Sequence, residues 1–295
     1  MTRKISSIVS AAVLAGSLGL LAGAAQANTD CSGGGTGNSN CFTWTFEAGG
    51  TNFTGPGGTI NLSTLLTSET STGGGAGISS VATAVSNTGG TNDALASGYI
   101  GAYGSVGMGV TSVDEYKNPS QLVSPYHAVD NSSDVESVLF SFAGGAVNLT
   151  SFNVGWMSGH DAYTVLAYVG CSGCSATPTV TGLSYSQLLT HGWALIADNA
   201  GTGSTGAQDF SNTTYSSYWL IGAYNSIIAG GTNPGDDYFK IASLAGCDCA
   251  TAPAGTPGCG GTGTKGVPEP GTLLLMSAGF IGLARVNRRP TKLRS

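Results

Sequence analysis

Asp130, Asn131, Asp134 and Glu136 place four oxygen donors within seven residues, and Asp236 and Asp237 form a second acidic pair. Calcium takes six to eight oxygens, often from loops between strands. Asp130, Asn131, Asp134, Asp236 and Asp237 are therefore candidate calcium ligands, with calcium the one cofactor admitted. The plainer reading of both clusters is turn formation, because Asp and Asn side chains hydrogen-bond to nearby backbone. His127, His160 and His191 are the only histidines. His160-Asp161, and His127 with Asp130, have the composition of acid–base pairs. Carboxylates for glycoside cleavage can also converge from distant positions. Yet the chain has neither a Gly-x-Ser-x-Gly elbow nor a His-Glu-x-x-His helix. The expectation is a protein that is not an enzyme.

Seven cysteines fall between Cys31 and Cys259. Disulfides are their default state in an exported domain. Cys31–Cys41 and Cys171–Cys174 are the simplest local pairs, and Cys259 has Cys247 or Cys249 as partner. The odd count leaves one thiol over or one intermolecular link. A zinc site from Cys171-x-x-Cys174 and Cys247-x-Cys249 is disfavoured by the tight second spacing.

The elements that must carry these residues read as short strands. Phe42-Thr-Trp-Thr-Phe46 alternates, which puts Phe42, Trp44 and Phe46 on one face. Runs at 79–86, 135–142, 147–154, 163–169, 193–197, 217–224 and 238–244 are β-branched or aromatic. Ala143–Ala146 reads as a hairpin-like break, and Tyr185–Thr190 as a short helix ending near Gly192. Trp44, Trp156, Trp193 and Trp219 are expected in the core. With 48 glycines in 295 residues and no long alternating helices, the pattern predicts an all-β fold, a β-sandwich or jelly-roll-like domain. An N-terminal signal helix and a C-terminal hydrophobic helix are expected to flank it.

Charge is distributed by position. Residues 28–266 hold 15 Asp/Glu against Lys117, Lys240 and Lys265, a balance of −12. That surface repels phosphate backbones, which argues against a nucleic-acid partner. Arg3 and Lys4 precede an apolar run, and Ala25-Gln26-Ala27 supplies a small-x-small cleavage site. Residues 1–27 are thus expected to be a signal peptide, 28–249 the β-domain and 250–266 a flexible Gly/Pro/Thr linker. Residues 267–295 complete the chain as Val267-Pro268-Glu269-Pro270, an apolar stretch and the basic residues Arg285, Arg288 and Arg289. A helix over 271–284 would be roughly 21 Å long, short of the ~30 Å hydrocarbon core. Snorkelling basic residues make marginal spanning feasible, with the basic flank cytoplasmic.

The order Pro-Glu-Pro, apolar helix, arginines resembles the PEP-CTERM sorting signal of Gram-negative bacteria. That resemblance implies handling by an exosortase, an integral-membrane transpeptidase-like enzyme. The segments 124–131, 154–161, 182–185, 191–193, 218–225 and 236–240 are similar, in order, to the exosortase-dependent surface protein family. The resemblance implies a secreted surface protein and supplies no catalytic residues. The expected function is an exported, exosortase-sorted cell-surface or matrix protein, structural or adhesive in exopolysaccharide or biofilm. Its expected partners are the exosortase, extracellular polysaccharide or matrix proteins, and the inner membrane through the tail. A carbohydrate-binding module is the alternative, and a secreted hydrolase a third reading.

Overall fold

Alternating apolar residues dominate the chain's ordered body, so paired strands with one buried face are its natural solution. The computed structural model describes residues 41–46, 65–75, 77–88, 93–118, 120, 125–231, 235–249, 252 and 259. The expected signal segment with Ala25 and Ala27, Cys31, and the tail with Val267–Pro270, Arg285, Arg288 and Arg289 lie outside the described residues. So does the 250–266 linker apart from Ala252 and Cys259.

Among the described residues the strands are, in chain order, β1 (Cys41–Thr45), β2 (Glu69–Thr70), β3 (Thr72–Gly73), β4 (Ser79–Ser86), β5 (Ala96–Ser97), β6 (Tyr99–Ala102), β7 (Met108–Thr111) and β8 (Val129–Asp130). They continue as β9 (Glu136–Ala143), β10 (Val147–Gly159), β11 (Tyr163–Tyr168), β12 (Trp193–Asn199), β13 (Gly206–Asp209), β14 (Tyr218–Ala223) and β15 (Asp237–Asp248). Three short helices interrupt them: α1 (Val113–Lys117), α2 (Tyr185–Thr190) and α3 (Ser226–Ala229).

The strands form two antiparallel sheets, the all-β sandwich expected from the sequence. One runs β13-β10-β15-β1-β3, with β7 and β8 also on β15 and β6 on β7. The other runs β12-β11-β14-β9-β4-β2, with β5 on β4. Trp44, Phe152 and Phe239 from the first sheet meet Phe140, Tyr163 and Trp219 from the second. Burying each such side chain contributes about 1.5–3 kcal/mol.

The centre of the second sheet is buried on its outer face as well. Leu166 and Leu220 alternate with core-facing Val165 and Ile221 and pack outward against Tyr185 and Leu188 of α2. The helix starts where the sequence demands. Ser184 Oγ accepts from the Gln187 N–H at 3.3 Å, and the Ser184 N–H donates to Gln187 Oε1 at 2.8 Å, a capping box. His191 closes the helix as its C-cap.

Three local expectations change. Ala143–Ala146 joins β9 and β10, which belong to different sheets, so it is a crossing of the sandwich rather than a hairpin. Gly144 takes φ +99°, and a Cβ there would press on the Gly77 carbonyl at 2.5 Å. β10 runs on to Gly159, beyond the expected 147–154. Three register irregularities against β15 break its period, which hides its second half from an alternation count. Three of the tryptophans are buried as expected; Trp156, past the last of those irregularities, is half-buried.

Candidate functional site

Polar side chains collect where α1, β8 and the start of β9 meet the first sheet. Ser112 caps α1: the Glu115 N–H donates to Ser112 Oγ at 3.2 Å, and the Ser112 N–H donates to Glu115 Oε2 at 2.9 Å. This capping box turns the Glu115 carboxyl inward, leaving it 4% exposed. β8 pairs with β15, bringing Asp130 opposite Tyr238. The Asp130 N–H donates to Glu136 Oε2 at 3.3 Å, and its Oδ1 accepts from the Ser132 N–H at 3.0 Å.

Three carboxyls therefore meet under cover, with Asp130 2% and Glu136 1% exposed. Burial pushes Glu115 up to about 7. Burial first, then the Glu115 charge, holds Asp130 and Glu136 well above the ordinary carboxylate range. The nearby Glu115 charge works against ionisation of Glu136, so the pair favours a shared state with one of the two carboxyls protonated. Half-buried Asp134 accepts from Ser112 Oγ at 3.4 Å and is raised by burial and then by the Asp114 charge.

Asn131 and Asp237 form a separate pair. Asn131 Nδ2 donates to Asp237 Oδ2 at 2.7 Å and to the Tyr224 carbonyl at 3.0 Å. The other Asp237 oxygen accepts from the Ala162 N–H at 2.9 Å. Burial raises Asp237 to about 6 against the lowering effect of these bonds. Asp236 is exposed and accepts a long 3.5 Å bond from Tyr238 Oη. The five candidate calcium ligands are thus divided among three settings. Among the described residues no three His, Cys, Asp or Glu side chains are grouped to hold a metal ion.

Beside the carboxyls lies an aromatic setting that sequence reasoning missed. Trp156 and Lys240 are direct cross-strand partners of β10 and β15. Lys240 Nζ sits 3.7 Å from the Trp156 ring centroid and 4.7 Å from that of Tyr103, within cation–π range. Burial lowers the ammonium to about 7. His127, an acid–base candidate in the sequence, lies in the loop before β8, is 1% exposed and packs against the Tyr103 and Trp156 rings. Gly109 permits this, because a Cβ there would strike the His127 carbonyl.

The other acid–base candidates separate. His160 is exposed, whereas Asp161 is buried with its carboxylate accepting from the Thr202 and Gly203 N–H groups and Gln208 Nε2. Cys171–Cys174 and Cys249–Cys259 are disulfides, the first of them an expected local pair. Cys41 and Cys247 face each other across β1 and β15, sulfurs 2.6 Å apart.

Residues 266–289 match the family model described as the PEP-CTERM protein-sorting motif. No curated protein and no solved structure matches the chain. The motif marks an exported chain sorted at a membrane by an exosortase. Among the described residues no helix is long and apolar enough to cross a membrane; the apolar stretch 273–284 lies outside them.

Proposed function

We propose that this is a non-catalytic surface or matrix protein, delivered by its C-terminal sorting signal and active through its β-sandwich. The observation that carries this reading is the match at 266–289, C-terminal to a two-sheet domain. The acids with the most altered protonation support a structural role, since none of Glu115, Asp130 and Glu136 exceeds 4% exposure. Substrate has no access to carboxyls sealed to that degree. The acidic body, −12 over residues 28–266, suits a hydrated exopolysaccharide or biofilm matrix.

The test compares wild-type cells with a strain lacking the sorting protease. Fractionation and intact-mass measurement should find a tail-shortened chain outside the inner membrane in wild type. The mutant strain should retain the longer chain in the inner membrane. Identical masses and locations in both strains would overturn the reading.

A further inference from the structure

The two tyrosines that end β11 and begin β14 open a groove on the outer side of the second sheet. Tyr168 and Tyr218 are both half-buried. Their rings stand 6.2 Å apart at 84°, forming a corner. The segment after β11 wraps this corner. Gly170 and Gly173 take positive φ, Cys171–Cys174 closes the turn, and Tyr168 Oη donates to the Ser175 carbonyl. Tyr218 Oη donates to Thr177 Oγ1 at 3.4 Å.

The groove encloses about 900 Å³. A neighbouring hollow of about 500 Å³ shares Tyr168, Cys174, Ser175 and Thr177 with it. Both fall within the size range of small-ligand sites. No Asp, Glu, Lys or Arg lines either one among the described residues. In a body carrying −12 over residues 28–266, a wall of tyrosine rings and Ser/Thr hydroxyls, with the His191 imidazole its one basic group among the described residues, is selective by itself. A polyanion finds no Lys or Arg there, only the His191 imidazole at the side of the second hollow, and a polycation finds no carboxylate. An extended peptide finds no sheet edge, because β12 flanks β11 and β9 flanks β14. What remains complementary is a ligand with apolar ring faces and many hydroxyls.

We propose that this groove binds a neutral oligosaccharide, with Tyr168 and Tyr218 stacking on pyranose faces and the Thr177, Thr213 and Thr214 hydroxyls reading its hydroxyl groups. The inference deepens the surface-protein reading by giving its β-domain a site and a ligand class, and rests on that reading for where the sugar is met.

The test is calorimetric titration of the full chain in detergent with cello-, malto- and laminarihexaose, and with hexagalacturonate as the anionic control. At least one neutral hexaose should bind, and hexagalacturonate should not. Tyr218→Ala should weaken binding at least tenfold. Val169→Arg, on a rim residue 56% exposed, should do so without lowering the melting temperature, which separates a lost site from a lost fold. Absence of binding to all three neutral hexaoses, preference for hexagalacturonate, or binding that survives both substitutions would each overturn the proposal. A chain that is sorted normally but binds none of these sugars leaves the sorting reading standing. A chain that binds them but is not sorted does the reverse.

Discussion

Asn131 and Asp237, 106 residues apart, hold each other twice: Asn131 Nδ2 donates to Asp237 Oδ2 at 2.7 Å, and the Asp237 N–H donates to Asn131 Oδ1 at 2.9 Å. The pair ties the loop after β8 to the first residue of β15, and Asp237 also takes the Ala162 N–H at 2.9 Å. Asp237→Ala strands these donors, at a cost of about 2–4 kcal/mol. Asp237→Asn keeps an acceptor for Ala162 and should cost less. Asn131→Asp opposes two carboxyls, so its destabilisation should be greater at pH 8 than at pH 5. Thermal melts of the three variants at both pH values check the ranking; equal losses from Asn131→Asp at the two pH values would contradict it.

The residue types in this pair were legible in the sequence, but their partnership was not. Asn131 and Asp237 stand out as oxygen donors, and calcium ligation or turn formation was the available reading. Which donor meets which acceptor depends on β15 returning beside β8, a long-range pairing that no local period encodes. The strands themselves were legible wherever one face is buried: 79–86 matches β4 end for end. Even there the faces needed the structure. Ala82 and Ala84 point into the sandwich, while Val85 packs outward. Glu115 carried a signal, the Ser112-x-x-Glu115 capping box, which predicts a helix start but not the carboxyl's neighbours. The Tyr168–Tyr218 groove had none, because it exists only once β11 and β14 are paired.

The carboxyls of Glu115, Asp130 and Glu136 should make the domain more stable in mild acid. Glu115 rises from its ordinary 4.5 to about 7, chiefly through burial. The folded state therefore binds more protons than the unfolded chain between those values. Stability is fully present below about pH 4.5 and is lost as pH rises towards 7. The Glu115 contribution is on the order of 3 kcal/mol. Melting temperature should fall across this window, and Glu115→Gln should flatten the fall. Repeating the pH 8 melt with and without millimolar calcium distinguishes the two ways of relieving these charges. No recovery is expected if protons alone do so; a calcium-dependent rise would put a cation among Asp130, Asp134 and their neighbours.

Lys240 should act in the opposite sense at higher pH. Burial lowers its ammonium from 10.5 to about 7, so the folded state binds fewer protons than the unfolded chain between these values. Its unfavourable contribution, greatest below about pH 7, is relieved as pH rises to about 10.5. Lys240→Met keeps the apolar stem between Trp156 and Tyr103 and removes the charge. That variant should melt at or above the wild-type temperature at pH 6.5 and lose the advantage by pH 10. A large loss at pH 6.5 would show that the contact at 3.7 Å from the Trp156 centroid outweighs the desolvation of the ammonium.

The tail makes a prediction independent of the sandwich. Pro268 and Pro270 fix φ and discourage helix at the residues before them, so an extended peptide ahead of the apolar stretch is the expectation from the sequence. Residues 271–284 would give a helix of roughly 21 Å, short enough that retention depends on the basic flank. Replacing Val267–Pro270 with alanines lets helix run upstream and removes the recognised peptide. The full-length chain should then accumulate in the inner membrane, with its domain still outside the cytosol and its mass unshortened. Replacing Arg285, Arg288 and Arg289 with Gln should instead weaken membrane retention, the outcome expected of a basic cluster that anchors the tail on the cytoplasmic side. Intact mass and protease accessibility in each fraction read both outcomes. Normal processing of the alanine variant would show that the apolar and basic parts suffice, and would remove the Pro-Glu-Pro peptide from the sorting mechanism.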